Sequence, residues 1–245
     1  MPARVIINGA NGKMGALATA TINAHPDFEL VACLSRGDDL AKSVAETGAQ
    51  IVVDLTRADC VYANSLAIIE SGAHPVIGTS GLRDDQIENL KNLCRNKQLG
   101  GIIAPNFSIS AVLMMRFAAM ASRYLSDVEI IEAHHPQKFD APSGTALKTA
   151  EMIAASRKLS KNEASSHELI PGARGGLHQG IPIHSLRLPG VVARQEVIFG
   201  NIGETLSITH NSIDRASFMP GIILCCLKVQ KLQTLYYGLE HLLDD

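Results

Sequence analysis

The chain has 245 residues, 46% of them hydrophobic and 19% charged, with a formal net charge of −2 at neutral pH. That length buries a real core in one large domain or two modest ones. The small charge excludes a long-range field that would gather nucleic acid or an anionic membrane, so an anionic ligand must be captured by a local cluster of donors.

The first hundred residues alternate between two periodicities. Short β-branched runs, "RVIIN", "FELVACL", "QIVVDL", "HPVIGT" and "GGIIA", have the pattern of buried parallel strands. Between them helices are predicted over 59–70, closed by Gly72, and over 83–97, closed by Gly100 and Gly101. Strand–helix–strand alternation predicts a Rossmann-like, doubly wound parallel sheet with right-handed crossovers.

After Asn106 the character changes. A long apolar helix is predicted over 109–125, then the strand "VEIIEA", then a helix over 145–159. The polar, glycine-rich segment 161–180 is expected to be a mobile loop. Three strand-like runs follow without intervening helices, "IPIHSLRL", "VVARQEVIFG" and "ETLSITHNS", and predict an antiparallel or mixed sheet in a second, α+β domain. A last helix over 215–231, with Pro220 tolerable near its first turn, precedes a short amphipathic tail.

Five cysteines without CxxC or zinc-ligand spacing point to reduced thiols and a cytoplasmic setting. No signal-peptide pattern precedes Val5, and the longest apolar run, 222–227, is too short to span a bilayer. Neither nucleic acid nor a membrane is expected as a partner.

Two stretches carry chemistry. "INGANGKMG" places Gly9, Gly12 and Gly15 after a strand and at the start of a helix. That is the context in which such glycines form a tight turn, let the backbone approach a pyrophosphate and pack helix on strand. The second strand ends in Leu34-Ser35-Arg36. A hydroxyl and a guanidinium stand there in place of an acid that would hold a ribose diol, which favours NADPH over NADH. Lys13 adds a second cation. The turns Gly78-Thr79-Ser80 and 104–107 (Ala104, Pro105, Asn106, Phe107) follow later strands and face the same ligand edge.

The second stretch is "EAHHPQKFDAPSGTA", 132–146. Ser143-Gly144-Thr145 opens a helix whose first N–H groups and dipole make a carboxylate seat. Ser143 as a plain N-cap accounts for one residue only. His134, His135 and Lys138, donors when protonated, point to a substrate with more than one carboxylate, and histidine also transfers protons near neutral pH. A metal site using Glu132 or Asp140 is disfavoured because Lys138 would repel the cation. A serine hydrolase at Ser143 lacks a nucleophile elbow.

"GANGKMG", "GTSG", "APNFS" and above all "EAHHPQKFDAPSGTA" closely resemble the dihydrodipicolinate reductase family of lysine and diaminopimelate biosynthesis, and the resemblance runs nearly end to end. It implies NAD(P)H-dependent reduction of the 4-hydroxy-tetrahydrodipicolinate or dihydrodipicolinate ring to tetrahydrodipicolinate. It also implies a nucleotide domain of 1–106 plus 216–245, a substrate and oligomerisation domain of 107–215, and a homotetramer built on the second sheet. His134 matches the family's proton donor and Lys138 its second catalytic group. His135, Lys138, Gly144 and Thr145 match positions that bind substrate carboxylates. Residues 9–14 (Gly9, Ala10, Asn11, Gly12, Lys13, Met14), 78–80 and 104–107 match the cofactor turns. Lys13 and Arg194 depart from the residues frequent at their positions, as does Ser35, which puts strong NADH use in doubt. The competing readings are another two-domain amino-acid-pathway dehydrogenase, acting on aspartate or diaminopimelate, and a non-catalytic NADP sensor.

Overall fold

The structure is a computed structural model that describes residues 1–157 and 167–243. The chain divides into two compact units, Met1–Ile109 with Phe218–Asp245, and Ser110–Ser217. The first unit begins β1 (Ala3–Asn8), α1 (Lys13–Ala24), β2 (Phe28–Leu34), α2 (Leu40–Thr47) and β3 (Ile51–Asp54). It continues α3 (Val61–Glu70), β4 (His74–Ile77), α4 (Asp84–Asn96) and β5 (Gly101–Ile103). The second unit holds α5 (Ile109–Ala121) from its second residue on, then β6 (Asp127–His134), α6 (Gly144–Ser156), β7 (Gly176–His178), β8 (Ile181–Arg187), β9 (Ala193–Asn201) and β10 (Glu204–Ser212). The chain then returns to the first unit with α7 (Met219–Lys228) and β11 (Leu235–Tyr237).

All pairings in the first sheet are parallel, in the order β11-β5-β4-β3-β1-β2. Val5, Ile6 and Ile7 of β1 and Ile51, Val52 and Val53 of β3 are fully buried, as strands covered by helices on both faces must be. The strand order reverses direction between β1 and β3, and at such a switch point the strand ends diverge into a crevice. Gly221 in α7 sits so close to Phe107 that a Cβ there would lie 1.9 Å from the Phe107 carbonyl oxygen. That contact seats the last helix beneath the 104–107 turn.

The second sheet is mixed, in the order β10-β9-β6-β8-β7, with β6 and β8 parallel and the other pairs antiparallel. Its core face carries Val128, Ile130, Ile183, Val197 and Phe199, buried together with Ala150 and Ile153 of α6. Among the described residues no helix is long and apolar enough to cross a membrane.

Several boundaries differ from expectation. The predicted helix over 109–125 stops at Ala121, and the chain turns through 122–125. The last helix is shorter than 215–231: only 219–228 is α-helical, with a 3-10 turn at each end. Of the predicted loop, 161–166 lies outside the described residues, and Gly176–His178 is a strand paired with β8. The expected end of the 145–159 helix also falls outside them. The tail holds a strand, β11, which parallels β5.

Candidate active site

The glycine turn after β1 is shaped by contacts that a side chain would destroy. Gly9 has φ of +87°, and a Cβ on it would lie 2.6 Å from the Leu55 carbonyl oxygen. A Cβ on Gly15 would lie 2.0 Å from the Gly9 oxygen, so the helix rides directly on the turn. Gly12 is the N-cap of α1 and no side chain caps it. Lys13 and Met14 form the first turn, which therefore offers backbone donors and a positive dipole end. In front of it opens a cavity of about 470 Å³, bordered by Gly9, Asn11 and Gly12, by Ser35 and Arg36, and by Thr56 and Arg57. A turn bounded by glycines, an uncapped helix start and an arginine lining the same cavity fit the phosphates and ribose of a dinucleotide.

The edge of this cavity is fixed by a buried carboxylate. Asp54, at the end of β3, is fully buried. Asn8 and Asn64 each donate Nδ2 to its Oδ2 at 2.9 Å. Thr56 and Thr79 each donate Oγ1 to its Oδ1 at 2.7 Å, and the Thr56 N–H adds a bond at 3.3 Å. These donors come from the ends of β1 and β4 and from α3, so one residue ties three strand tips together. Thr79, expected as a cofactor contact, turns its hydroxyl to Asp54. Gly78 lies against Phe107 and Leu55, where a Cβ would be 2.4 Å from the phenyl ring. The turns at 78–80 and 104–107 therefore do meet. In the second turn Ala104 and Phe107 are buried, Pro105 is exposed, and Asn106 caps Ser108 N–H at 2.8 Å. Ser80 is exposed.

At the end of β2, Asp38 accepts from the Ser35 N–H at 2.7 Å and from its hydroxyl at 3.2 Å. Asp39 caps α2 by accepting from Lys42 N–H at 3.0 Å. Both acids near Arg36 thus have other partners.

In the second unit, β6 places Glu132 and His134 on the core face of the sheet, since residues two apart on a strand share a face. Glu132 is fully buried, and His134 Nδ1 lies 2.5 Å from its Oε2. Arg187, opposite His134 in parallel register, donates Nη1 to Oε2 at 3.1 Å and Nη2 to Oε1 at 3.0 Å. The Ser143 N–H adds a bond at 3.3 Å. Burial pushes the Glu132 carboxyl up, yet the hydrogen bonds from His134, Arg187 and Ser185 together outweigh it and hold the group down at about 2. Arg187 Nη2 also donates to the Asp140 carbonyl at 2.7 Å. Lys138 Nζ clasps the Asp140 carboxylate at 2.8 and 2.9 Å, and the ammonium hydrogen bond draws that carboxyl below its usual range.

Ser143 caps α6, its Oγ accepting from the Ala146 N–H at 3.2 Å. Its side chain is thus engaged in the cap that composition alone also allowed. Gly144 is exposed, and a Cβ there would meet nothing within 4 Å, so the first turn is open to a ligand. Thr145 follows it, half-buried. His135 Nδ1 is buried with no hydrogen-bond partner among the described residues.

His134, Ser143 and Lys138 are therefore joined through Glu132, Arg187 and Asp140. The sequence marks Glu132 only as a potential metal ligand, although its spacing from His134 on a strand puts the two on one face. Arg187 carried no such signal, because its register against β6 is long-range. Asp54 and Asn64 were likewise missed, though an acid ending a wholly apolar strand is itself anomalous.

A parallel nucleotide-type sheet with an open glycine turn, followed by a mixed sheet carrying an ion-paired histidine and lysine, defines a nicotinamide-nucleotide-dependent oxidoreductase of the Rossmann type. The family model "Dihydrodipicolinate reductase, N-terminus" matches residues 3–107 and "Dihydrodipicolinate reductase, C-terminus" matches 110–243. The chain belongs to the dihydrodipicolinate reductase family. It is 69% identical over 243 residues to the 4-hydroxy-tetrahydrodipicolinate reductase of Legionella pneumophila (strain Lens), covering 99% of this chain and all of that one. It is 54% identical, with the same coverage, to the enzyme so named from Coxiella burnetii (strain Dugway 5J108-111). A solved dipicolinate-bound dihydrodipicolinate reductase from Paenisporosarcina sp. TG-14 superposes with a TM-score of 0.91 at 40% identity, over 98% of this chain and 99% of that one. An amine dehydrogenase from Mycobacterium smegmatis, 11% identical with a TM-score of 0.66 over 96% and 94% of the two chains, shares the fold alone.

Proposed function

We propose that this chain reduces the 4-hydroxy-tetrahydrodipicolinate or dihydrodipicolinate ring to tetrahydrodipicolinate, with NADPH preferred to NADH. The observation that carries the reading is the linked set of His134, Lys138 and the open start of α6 in a chain so close to reductases named for that ring. The glycine turn would hold a reduced nicotinamide nucleotide, which would supply the hydride. His134 delivers a proton to the ring carbon next to the reduced one. The first N–H groups of α6, at Gly144 and Thr145, and the imidazole of His135 receive the ring carboxylates. Lys138 has three ammonium hydrogens, so pairing with Asp140 leaves it able to hold a carboxylate and to stabilise charge developing on the ring.

The NADPH preference rests on Arg36. Asp38 and Asp39 are engaged elsewhere, which leaves the guanidinium at the cavity edge to meet a 2′-phosphate. A homotetramer is proposed through the sheet face opposite α6, where the half-buried Ile131 and Ile198 and the exposed Leu186 stand beside the ion-paired Arg194 and Glu196.

The test follows nicotinamide absorbance with freshly generated ring substrate, NADPH and NADH in parallel. Rapid oxidation, faster with NADPH, is expected. No oxidation, with ammonia released instead from an amino acid as NADP is reduced, would replace this reading by an amino-acid dehydrogenase.

A further inference from the structure

We infer that Glu132 and Arg187 act as positioning residues for His134, fixing its proton-bearing Nδ1 against the sheet so that proton exchange with substrate runs through Nε2. The inference rests on His134 being the proton donor of the proposed reaction.

An ionised carboxylate has only acceptor positions. Facing Oε2 at 2.5 Å, the Nδ1 of His134 must be the N–H side of the ring in both its neutral and its charged form. The proton that comes and goes is then the one on Nε2. For this to work, Glu132 must stay ionised while fully out of water, and its surroundings are built for that. Arg187 grips both oxygens in fork geometry, the most directional way to hold a carboxylate. The Ser143 N–H adds a further donor at the start of α6, where the dipole end is positive.

Arg187 does more than neutralise. Its bond to the Asp140 carbonyl ties the 138–143 loop to the same carboxylate that orients His134, and Asp140 in turn holds Lys138. Imidazole orientation and ammonium placement are thereby set by one buried anion. A carboxylate and a guanidinium that only held the sheet together would need neither the short bond to His134 nor the reach to the loop.

The test has two parts. In the wild-type protein, nitrogen chemical shifts of ¹⁵N-histidine are recorded at neutral pH, with the His134 resonances assigned by comparison with H134Q. Protonated Nδ1 and bare Nε2 in the neutral ring are expected. The opposite tautomer overturns the inference. In parallel, E132Q is compared with wild type. A glutamine amide keeps the shape but can donate to Nδ1, so the tautomer is expected to invert. kcat should then fall roughly ten- to a hundredfold, with KM and NADPH affinity within about threefold, the signature of lost acid–base function. Unchanged kcat per folded enzyme, with only a lower melting temperature, would reduce the pair to a structural role. H134Q separates the levels: retained turnover there removes His134 from the mechanism altogether, whereas loss of turnover in H134Q with normal kcat in E132Q removes only the positioning.

Discussion

Arg187 holds Glu132 by both carboxylate oxygens, at 3.0 and 3.1 Å, from the strand beside it, and Glu132 has no solvent exposure. Breaking such a pair from one side strands a buried charge, which costs about 3–5 kcal/mol. Arg187→Met is therefore expected to lower unfolding free energy by about that amount. Urea denaturation of the two single variants and of Glu132→Gln/Arg187→Met should show strong non-additivity, the double variant being more stable than the sum of single losses allows.

The same carboxylate couples stability to acid. Its folded value of about 2 lies below the ordinary 4.5, so the stabilisation is complete above pH 4.5 and is lost as pH falls toward 2. The full contribution is about 3 kcal/mol. Denaturation measured across that window should show a slope that Glu132→Gln lacks; parallel curves for the two proteins would contradict the assignment.

Proton delivery by His134 predicts that His134→Gln lowers kcat by about 10²–10⁴-fold while NADPH still binds. Lys138→Ala should lose both turnover and substrate affinity. Steady-state kinetics beside cofactor titration distinguishes the two patterns, and near-normal turnover in His134→Gln would count against the role.

Arg36→Ala should weaken NADPH binding by about ten- to a hundredfold, the worth of a hydrogen bond to a charged group. NADH binding should barely change. Calorimetric titration of both nucleotides gives the comparison directly; equal losses would place Arg36 elsewhere than at the 2′-phosphate.

Gly15→Ala would put a methyl 2.0 Å from the Gly9 carbonyl, against backbone that has no room to yield. A loss of about 1–3 kcal/mol in stability is expected from overpacking alone. Nucleotide binding, followed by fluorescence, should fail with it, because the displaced turn is the one proposed to meet the phosphates.

Much of the fold was legible because the signals were local. Five of the six strands in the first sheet are continuous apolar runs, and the mixed second sheet follows from three strand-like runs without helices between them. β11 escaped because Leu235–Tyr237 is too short to show a period, and its partner β5 lies more than a hundred residues earlier. α2 escaped because eight residues give barely two helical turns. In the site, the glycine turn and the 132–146 stretch were readable because each is contiguous. The Arg187 clasp depends on which strand lies beside β6, and Asp54 gathers donors from separate strand ends; neither relation leaves a pattern in linear order.

The parallel pairing of β11 with β5 has a consequence for how the protein is made. The nucleotide-binding unit is written in two pieces, with the whole second unit between them. A nascent chain leaving the ribosome carries residues 1–109 with an unpaired strand edge and no α7 under the Phe107 turn. During that interval β5 is an open edge of the kind that recruits foreign strands. The intervening unit is contiguous in sequence. The β5 edge is therefore covered only by the last stretch of the chain, and a chain cut shortly before residue 235 would keep that edge open.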